Sequence, residues 1–254
     1  MGATADTILA TLRIVDGERH RRGSDTALAS KVAGLKAFQQ QRFSHTYADL
    51  LHTARYGAAA RFFLDELYGP EDFSRRDTQF ARVVPSMVRL FPREIVETVA
   101  TLAELHALSE TLDTAMATHL DGTRIDAVAY VRAWQATARE ADRAHQISLT
   151  VNVARQLDRL TGNPLLRNSL RLMRGPARAA GLAELQRFLE AGFDTFRAMK
   201  GADEFVEIVQ FRERTFASTL FGANTVDTSA GVAARDVLAC LPSDVTDNSR
   251  ALRA

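Results

Sequence analysis

Apolar residues recur at three- and four-residue steps along most of the chain, the spacing of helices that bury one face. A short helix is predicted over Asp6 to Val15, followed by a charged loop from Asp16 to Asp25 that holds Arg19, His20, Arg21 and Arg22. From Thr26 a long helical pattern runs to about Leu67, with Phe43, Tyr47, Leu50, Ala54, Ala58 and Phe62 on one stripe and Gly57 loosening it midway. Tyr68-Gly69-Pro70 ends it, because Gly and Pro stop helices. Ser74-Arg75-Arg76-Asp77 has capping-box spacing ahead of Phe80, Val83 and Val84. Pro85 is expected to kink or split that helix, and Pro92 to start the next.

Arg93 to His119 carries Leu102, Leu105, Leu108, Leu112 and Ala115 on one face. Ile125 to about Leu160 reads as one very long helix, or two with a subtle break. Its stripe is Val131, Trp134, Ala138, Ala141, His145, Leu149, Val153, Leu157 and Leu160. Further helices are predicted over Leu165 to Arg174, Gly181 to Met199 and Ala202 to Phe221, the last two joined at Lys200-Gly201. Phe188, Phe193, Phe196, Phe205, Phe211 and Phe216 make this hairpin the aromatic-rich end of the core. Beyond Gly222 the chain turns to Thr, Ser, Asp and Asn, with a short helix expected over Val232 to Leu241. The pattern predicts one all-α bundle of about seven to nine helices, two of them long. The bundle is expected over 1–222, followed by a polar, partly disordered tail over 223–254.

Composition strengthens the helical reading: 41 Ala, 28 Leu and 29 Arg are residues that lose little rotamer freedom in a helix. The chain has 254 residues, 46% of them hydrophobic, enough for a sizeable core. Its net charge of +1 argues against a strongly basic nucleic-acid protein. No apolar run reaches membrane-spanning length, and Asp6, Arg13 and Asp16 break up any leader-like stretch, so a cytoplasmic protein is expected. The single cysteine, Cys240, can form neither an intramolecular disulfide nor a thiolate zinc cage.

His45, Asp49, His52 and Tyr56 form the sharpest chemical constellation. On one continuous helix their offsets of 0, +4, +7 and +11 put all four on one face. Two imidazoles and a carboxylate suit iron, manganese or zinc. The alternative is an exposed polar face in which Asp49 pairs with a histidine. A second Asp-x-x-His occurs at Asp142 and His145, where His145 interrupts an apolar stripe and is expected to be at least half buried as a core histidine. Arg167, Arg171, Arg174 and Arg178 gather around Gly175-Pro176, either as solvated surface or as an anion site at a helix start. They lack the interleaved aromatics that stack bases, so no nucleic-acid partner is expected. Phosphate loops, dinucleotide fingerprints and nucleophile elbows are all missing.

The H-x-x-x-D-x-x-H order at His45 to His52 resembles one helix of the haem-oxygenase-like di-metal oxidases over eight residues, and implies an iron or manganese cofactor. The stretch Phe62-Phe63-Leu64 through Leu67-Tyr68-Gly69-Pro70, Asp72-Phe73-Ser74 and Arg76-Asp77 resembles the signature of an uncharacterised bacterial all-helical family. So do Arg174-Gly175-Pro176-Ala177-Arg178 and Leu185-Gln186-Arg187-Phe188. That resemblance spans roughly 40 to 215 and implies the fold class but no activity. Physically, Phe62, Phe63, Tyr68, Asp72, Arg76 and Asp77 read as a junction that anchors a helix end, or as the mouth of a pocket. Three functions follow from the chain alone: a binding or interaction protein that holds a small apolar ligand between helices, a metal-dependent oxidase of haem-oxygenase-like or ferritin-like architecture, and a homo-oligomeric helical scaffold.

Overall fold

The Thr4 hydroxyl oxygen accepts a hydrogen bond from the Thr7 amide while the Thr4 amide donates to the Thr7 hydroxyl oxygen, so the first helix starts on a reciprocal cap. In the computed structural model, which describes residues 2–67, 74–222 and 238–242, this helix, α1, spans Ala5–Gly23. It runs straight through the segment expected to be a charged loop. Asp6 lies in its first turn and His20, Arg21 and Arg22 in its last, the arrangement the helix dipole favours. Asp25 then caps α2, Thr26–Thr46, by accepting from the Leu28 amide.

The long helix expected to reach Leu67 breaks into pieces. Tyr47 leaves helical geometry, a four-residue turn α3 covers Ala48–Leu51, and α4 covers Gly57–Phe62. A Cβ on Gly57 would lie 2.7 Å from the Leu51 carbonyl oxygen, so only glycine allows the chain to fold back this closely. The stripe is real only in part: Phe43, Tyr47, Leu50 and Phe62 are buried, whereas Ala54 and Ala58 face out. A π-helical turn, Phe63–Leu67, follows α4.

The next helix, α5, spans Ser74–Leu90 and continues through Pro85. That proline is exposed, so the carbonyl it leaves without an amide partner can turn to solvent and the helix need not split. Pro92 is the N-cap of α6, Arg93–Ala117. The chain between 125 and 160 takes the two-helix form: α7, Ala127–Thr137, and α8, Glu140–Thr161, meet at Ala138, which sits at φ 52°. Then come α9, Pro164–Leu172, and α10, Arg174–Ala179, which takes Gly175-Pro176 into its first turn instead of stopping before it. The hairpin of α11, Ala183–Ala198, and α12, Asp203–Phe221, turns through Lys200 and Gly201, both at positive φ. Within it Phe193, Phe196, Phe205 and Phe216 are buried, but Phe211 is 71% exposed.

The described residues thus form an all-α fold of twelve helices, more than expected because several long patterns break, and contain no strand. Among them no helix is long and apolar enough to cross a membrane. Helix α6 packs against α1, α2, α7 and α8, while α8 also packs on α11 and α12. Aromatic residues fill two of the three core clusters: Phe38, Tyr130, Trp134 and Phe216 in one, and Phe43, Tyr47, Phe63, Phe196 and Phe205 in the next. The third joins Ile8 and Leu12 of α1 to Val84 and Val96. Most of the expected tail, and the greater part of its short helix, lies outside the described residues.

Candidate functional site

Helix α2 presents Leu35, Phe38, Gln39, Arg42 and Phe43 to the interior, so two polar residues occupy the positions of a buried face. Helix α6 does the same with Glu110 and Asp113 among Ala103, Ala107 and Leu112. These side chains meet at a cavity of about 210 Å³ in the middle of the bundle, lined also by α7, α8, α11 and α12. Leu102, Leu105, Ile147, Val151, Val206 and Val209 supply apolar wall. A cavity of roughly 150 Å³ lined by aliphatic and aromatic groups accepts benzene, so this volume is large enough for a small molecule.

Three polar clusters reach the cavity. In the first, Lys36 donates to one oxygen of Glu110 at 2.6 Å and Arg22 to the other at 2.5 Å, while Arg22 also donates to Thr114 at 3.0 Å. Burial alone would raise the Glu110 carboxyl, but Lys36 and Arg22 outweigh it and bring it down to about 2. One helical turn on, Asp113 accepts from Gln39 at 3.1 Å. There burial prevails over Lys36 and Arg143, and the Asp113 carboxyl is raised. Arg22 belongs to the segment expected to be a solvated turn; the helical extension of α1 is what carries it inward.

The second cluster centres on Asp77, which accepts from Arg19 at 2.5 Å and pairs with His106 Nε2 at 2.9 Å. Burial pushes this carboxyl up, and His106 and Arg19 together hold it below its ordinary value. Asp77, placed by the sequence at capping-box spacing, thus makes tertiary contacts with α1 and α6. Beside it the Arg76 guanidinium lies 4.3 Å above the Phe188 ring and donates to the Glu66 carbonyl.

In the third cluster Arg42 donates to Glu213 at 2.5 Å and the Tyr47 hydroxyl donates to the same oxygen at 2.7 Å. The Arg42 guanidinium stacks on Phe216 at 4.4 Å, and that ring lies 6.5 Å from Tyr130 and 5.8 Å from Trp134. Tyr130 itself stacks on Phe38 at 4.7 Å, and Arg143 covers Trp134 at 4.1 Å. Burial opposes the charge on Arg42, but Glu213, Tyr130 and Tyr47 raise its pKa above the ordinary value. Burial also raises the Tyr130 hydroxyl. Arg42 Nε, Tyr130 Oη and Trp134 Nε1 are all buried, and no described residue gives any of them a hydrogen-bond partner.

The His45, Asp49, His52 and Tyr56 constellation is dispersed, because α2 stops at Thr46 and the four no longer share one helical face. His45 is exposed, and Asp49 binds Arg212 through both oxygens at 2.7 Å, which lowers its pKa. His52 Nδ1 lies 2.5 Å from the Ala48 carbonyl oxygen. The buried Tyr56 donates its hydroxyl to Glu204 at 2.5 Å. Among the described residues no group of three or more His, Cys, Asp or Glu is placed to hold a metal ion. His145 is exposed, not half buried, and pairs with Glu104 at 2.8 Å; Ala138 and Ala141 of the same stripe face out too, since the break at Ala138 turns the start of α8. Arg167 and Arg174, read as an anion site or solvated surface, are paired with Asp194 and Glu190.

Of the junction residues, Phe62 and Phe63 are buried edge to face at 6.4 Å; Phe62 stacks on Phe188, and Phe63, Arg76 and Asp77 line the cavity. Tyr68 and Asp72 lie outside the described residues. Sequence reasoning missed Arg42, Tyr130 and Glu213, and took Trp134 only as part of a stripe. Polar residues at interior helical positions, such as Gln39 and Arg42, were the signal that could have found them.

No curated protein and no solved structure matches the chain. Residues 18–226 match the model of a family described as a domain of unknown function, DUF8198. The match takes in all three polar clusters and every cavity-lining residue but Leu12, and the chain belongs to that family.

Proposed function

We propose that this protein is a helical binding protein that encloses a small, largely apolar molecule in the cavity between α2, α6, α7, α8 and α12. The observation that carries the reading is a volume of about 210 Å³ inside a core whose walls are mostly aliphatic and aromatic. Scaled from a 150 Å³ cavity that holds benzene, it suits roughly eight to ten non-hydrogen atoms. Ligand pockets have this character: an apolar body with a few converging polar groups.

The only tryptophan, Trp134, lines the cavity and is a built-in reporter. Titration with linear alcohols of six to ten carbons is expected to change its emission saturably. The Ala154→Leu substitution, which adds bulk at a buried wall position, is expected to weaken binding at least tenfold while the circular dichroism spectrum stays helical. Native mass spectra of the purified protein, set against its denatured mass, report any molecule that travels with it. Emission that stays flat across the whole alcohol series would reject the reading.

A further inference from the structure

We propose, building on the cavity reading above, that the bound molecule carries a carboxylate, and that Arg42, Tyr130 and Trp134 receive it around the Phe216 ring. Tyr130 is 0% exposed, Arg42 5% and Trp134 6%, and all three line the cavity. Each leaves one polar atom without a partner among the described residues: the guanidinium Nε, the phenol oxygen and the indole nitrogen. Trp Nε1–H and Arg Nε–H can only donate, and the Tyr hydroxyl can donate as well. Buried polar groups are otherwise almost always satisfied, and each one left unmet costs about 1–3 kcal/mol. A ligand that repays this must bring acceptors.

The number of donors selects the group. A hydroxyl or a carbonyl has one oxygen, with two lone pairs for three donors. A carboxylate has two oxygens and about four acceptor sites, enough for all three. One of the donors belongs to a guanidinium, and a charge-assisted bond to a carboxylate is roughly twice as strong as a neutral one. Glu213 does not compete for these atoms, since it is held by Arg42 Nη1 and the Tyr47 hydroxyl. The three residues are neighbours: the Tyr130 and Trp134 rings are 6.0 Å apart, and both flank the Phe216 ring on which the Arg42 guanidinium rests. Given the cavity volume, the class is a medium-chain or aryl-substituted carboxylic acid, with the acyl body against Leu102, Val151 and Val206.

The test compares three head groups on one tail at pH 7.5, with octanoate, 1-octanol and octylammonium titrated against Trp134 emission. Octanoate is expected to bind at least tenfold more tightly than either of the others. In Tyr130→Phe, which keeps the ring and the reporter, its advantage over 1-octanol is expected to fall below threefold. Thermal melts of the variant establish that it is folded, and the head-group order in the unmodified protein stands as a second, independent readout. If 1-octanol or octylammonium binds as tightly as octanoate, the carboxylate assignment is overturned and the cavity reading survives. If the Tyr130→Phe protein is folded and keeps the full octanoate preference, the assignment to these three residues is overturned. If none of the three compounds moves Trp134 emission, the proposal and the cavity reading fall together.

Discussion

Around Glu110 both carboxylate oxygens are taken, one by Lys36 and one by Arg22. Around Tyr130 three donor-bearing side chains surround the same cavity and each leaves an atom unmet. Both regions are buried, and both place polar atoms where a bundle of this size could have used Leu or Val. The Glu110 region is a closed network, in which Coulomb attraction and hydrogen bonds repay the cost of taking charges out of water. The Tyr130 region is open, because three of its buried polar atoms have a desolvation cost that no described residue offsets with a hydrogen bond. A core that is polar because it is structural can be told from one that is polar because it binds by asking whether its atoms are satisfied, not by how many charges it holds.

The largest effect is expected at the closed end. Glu110→Ala strands Arg22 and Lys36 without their carboxylate and should cost about 3–5 kcal/mol, the range for removing one member of a buried ion pair. Urea denaturation measures it, and a loss under 1 kcal/mol would show that the network is not what holds α1 and α2 to α6. Acid should act on the same bond. The folded-state pKa of Glu110 lies at about 2 against an ordinary 4.5, so the ionised form favours folding. Its contribution is complete above about pH 4.5 and is lost as pH falls through 2, on the order of 3 kcal/mol by linkage. Asp77, also lowered, adds to this loss. Asp113 is raised and works the other way, gaining stability as it protonates and losing it as pH rises through its folded pKa. Urea midpoints between pH 6 and pH 2 should fall for the unmodified protein and flatten in Glu110→Gln.

Asp77→Ala tests an intermediate case. A capping role alone would make it worth about 1 kcal/mol. Its bonds to Arg19 and His106 in a half-buried setting raise the expectation to about 2–3 kcal/mol, the range for hydrogen bonds to charged groups. A value at or below 1 would return Asp77 to the local turn.

The smallest effects make the finest comparison, since two tyrosines of equal burial differ in what the hydroxyl meets. Tyr47 donates to Glu213, so Tyr47→Phe should cost about 1.5–3 kcal/mol. Tyr130 has no such partner among the described residues, and Tyr130→Phe should leave stability within about 0.5 kcal/mol or raise it. Equal losses in the two melts would erase the distinction between closed and open polar sites.

Much of the fold was legible because its determinants are local. Pro92 starting α6, the turn at Lys200-Gly201 and the end of α12 at Gly222 are written in residues whose backbone limits act over one turn. The burial of Phe43, Tyr47, Leu50 and Phe62 followed from their spacing even though the helix carrying them does not continue. What periodicity could not place was a break costing no proline, missed at Tyr47 and left as an unlocated alternative at Ala138, because apolar spacing looks the same on either side of a turn. The dispersal of His45, Asp49 and His52 follows from that one interruption.

By itself, then, the sequence determined an all-α architecture and most of its helices, through propensity, capping and the apolar stripe. Whether a polar residue on a buried face is paired or left open was decided only by the tertiary structure. Glu110 meets Lys36 across 74 residues and Arg42 meets Glu213 across 171. No local spacing encodes such partners, because they are chosen by helices that meet only when the bundle closes. The cavity has the same origin, as the volume left where those helices fail to fill the space between them.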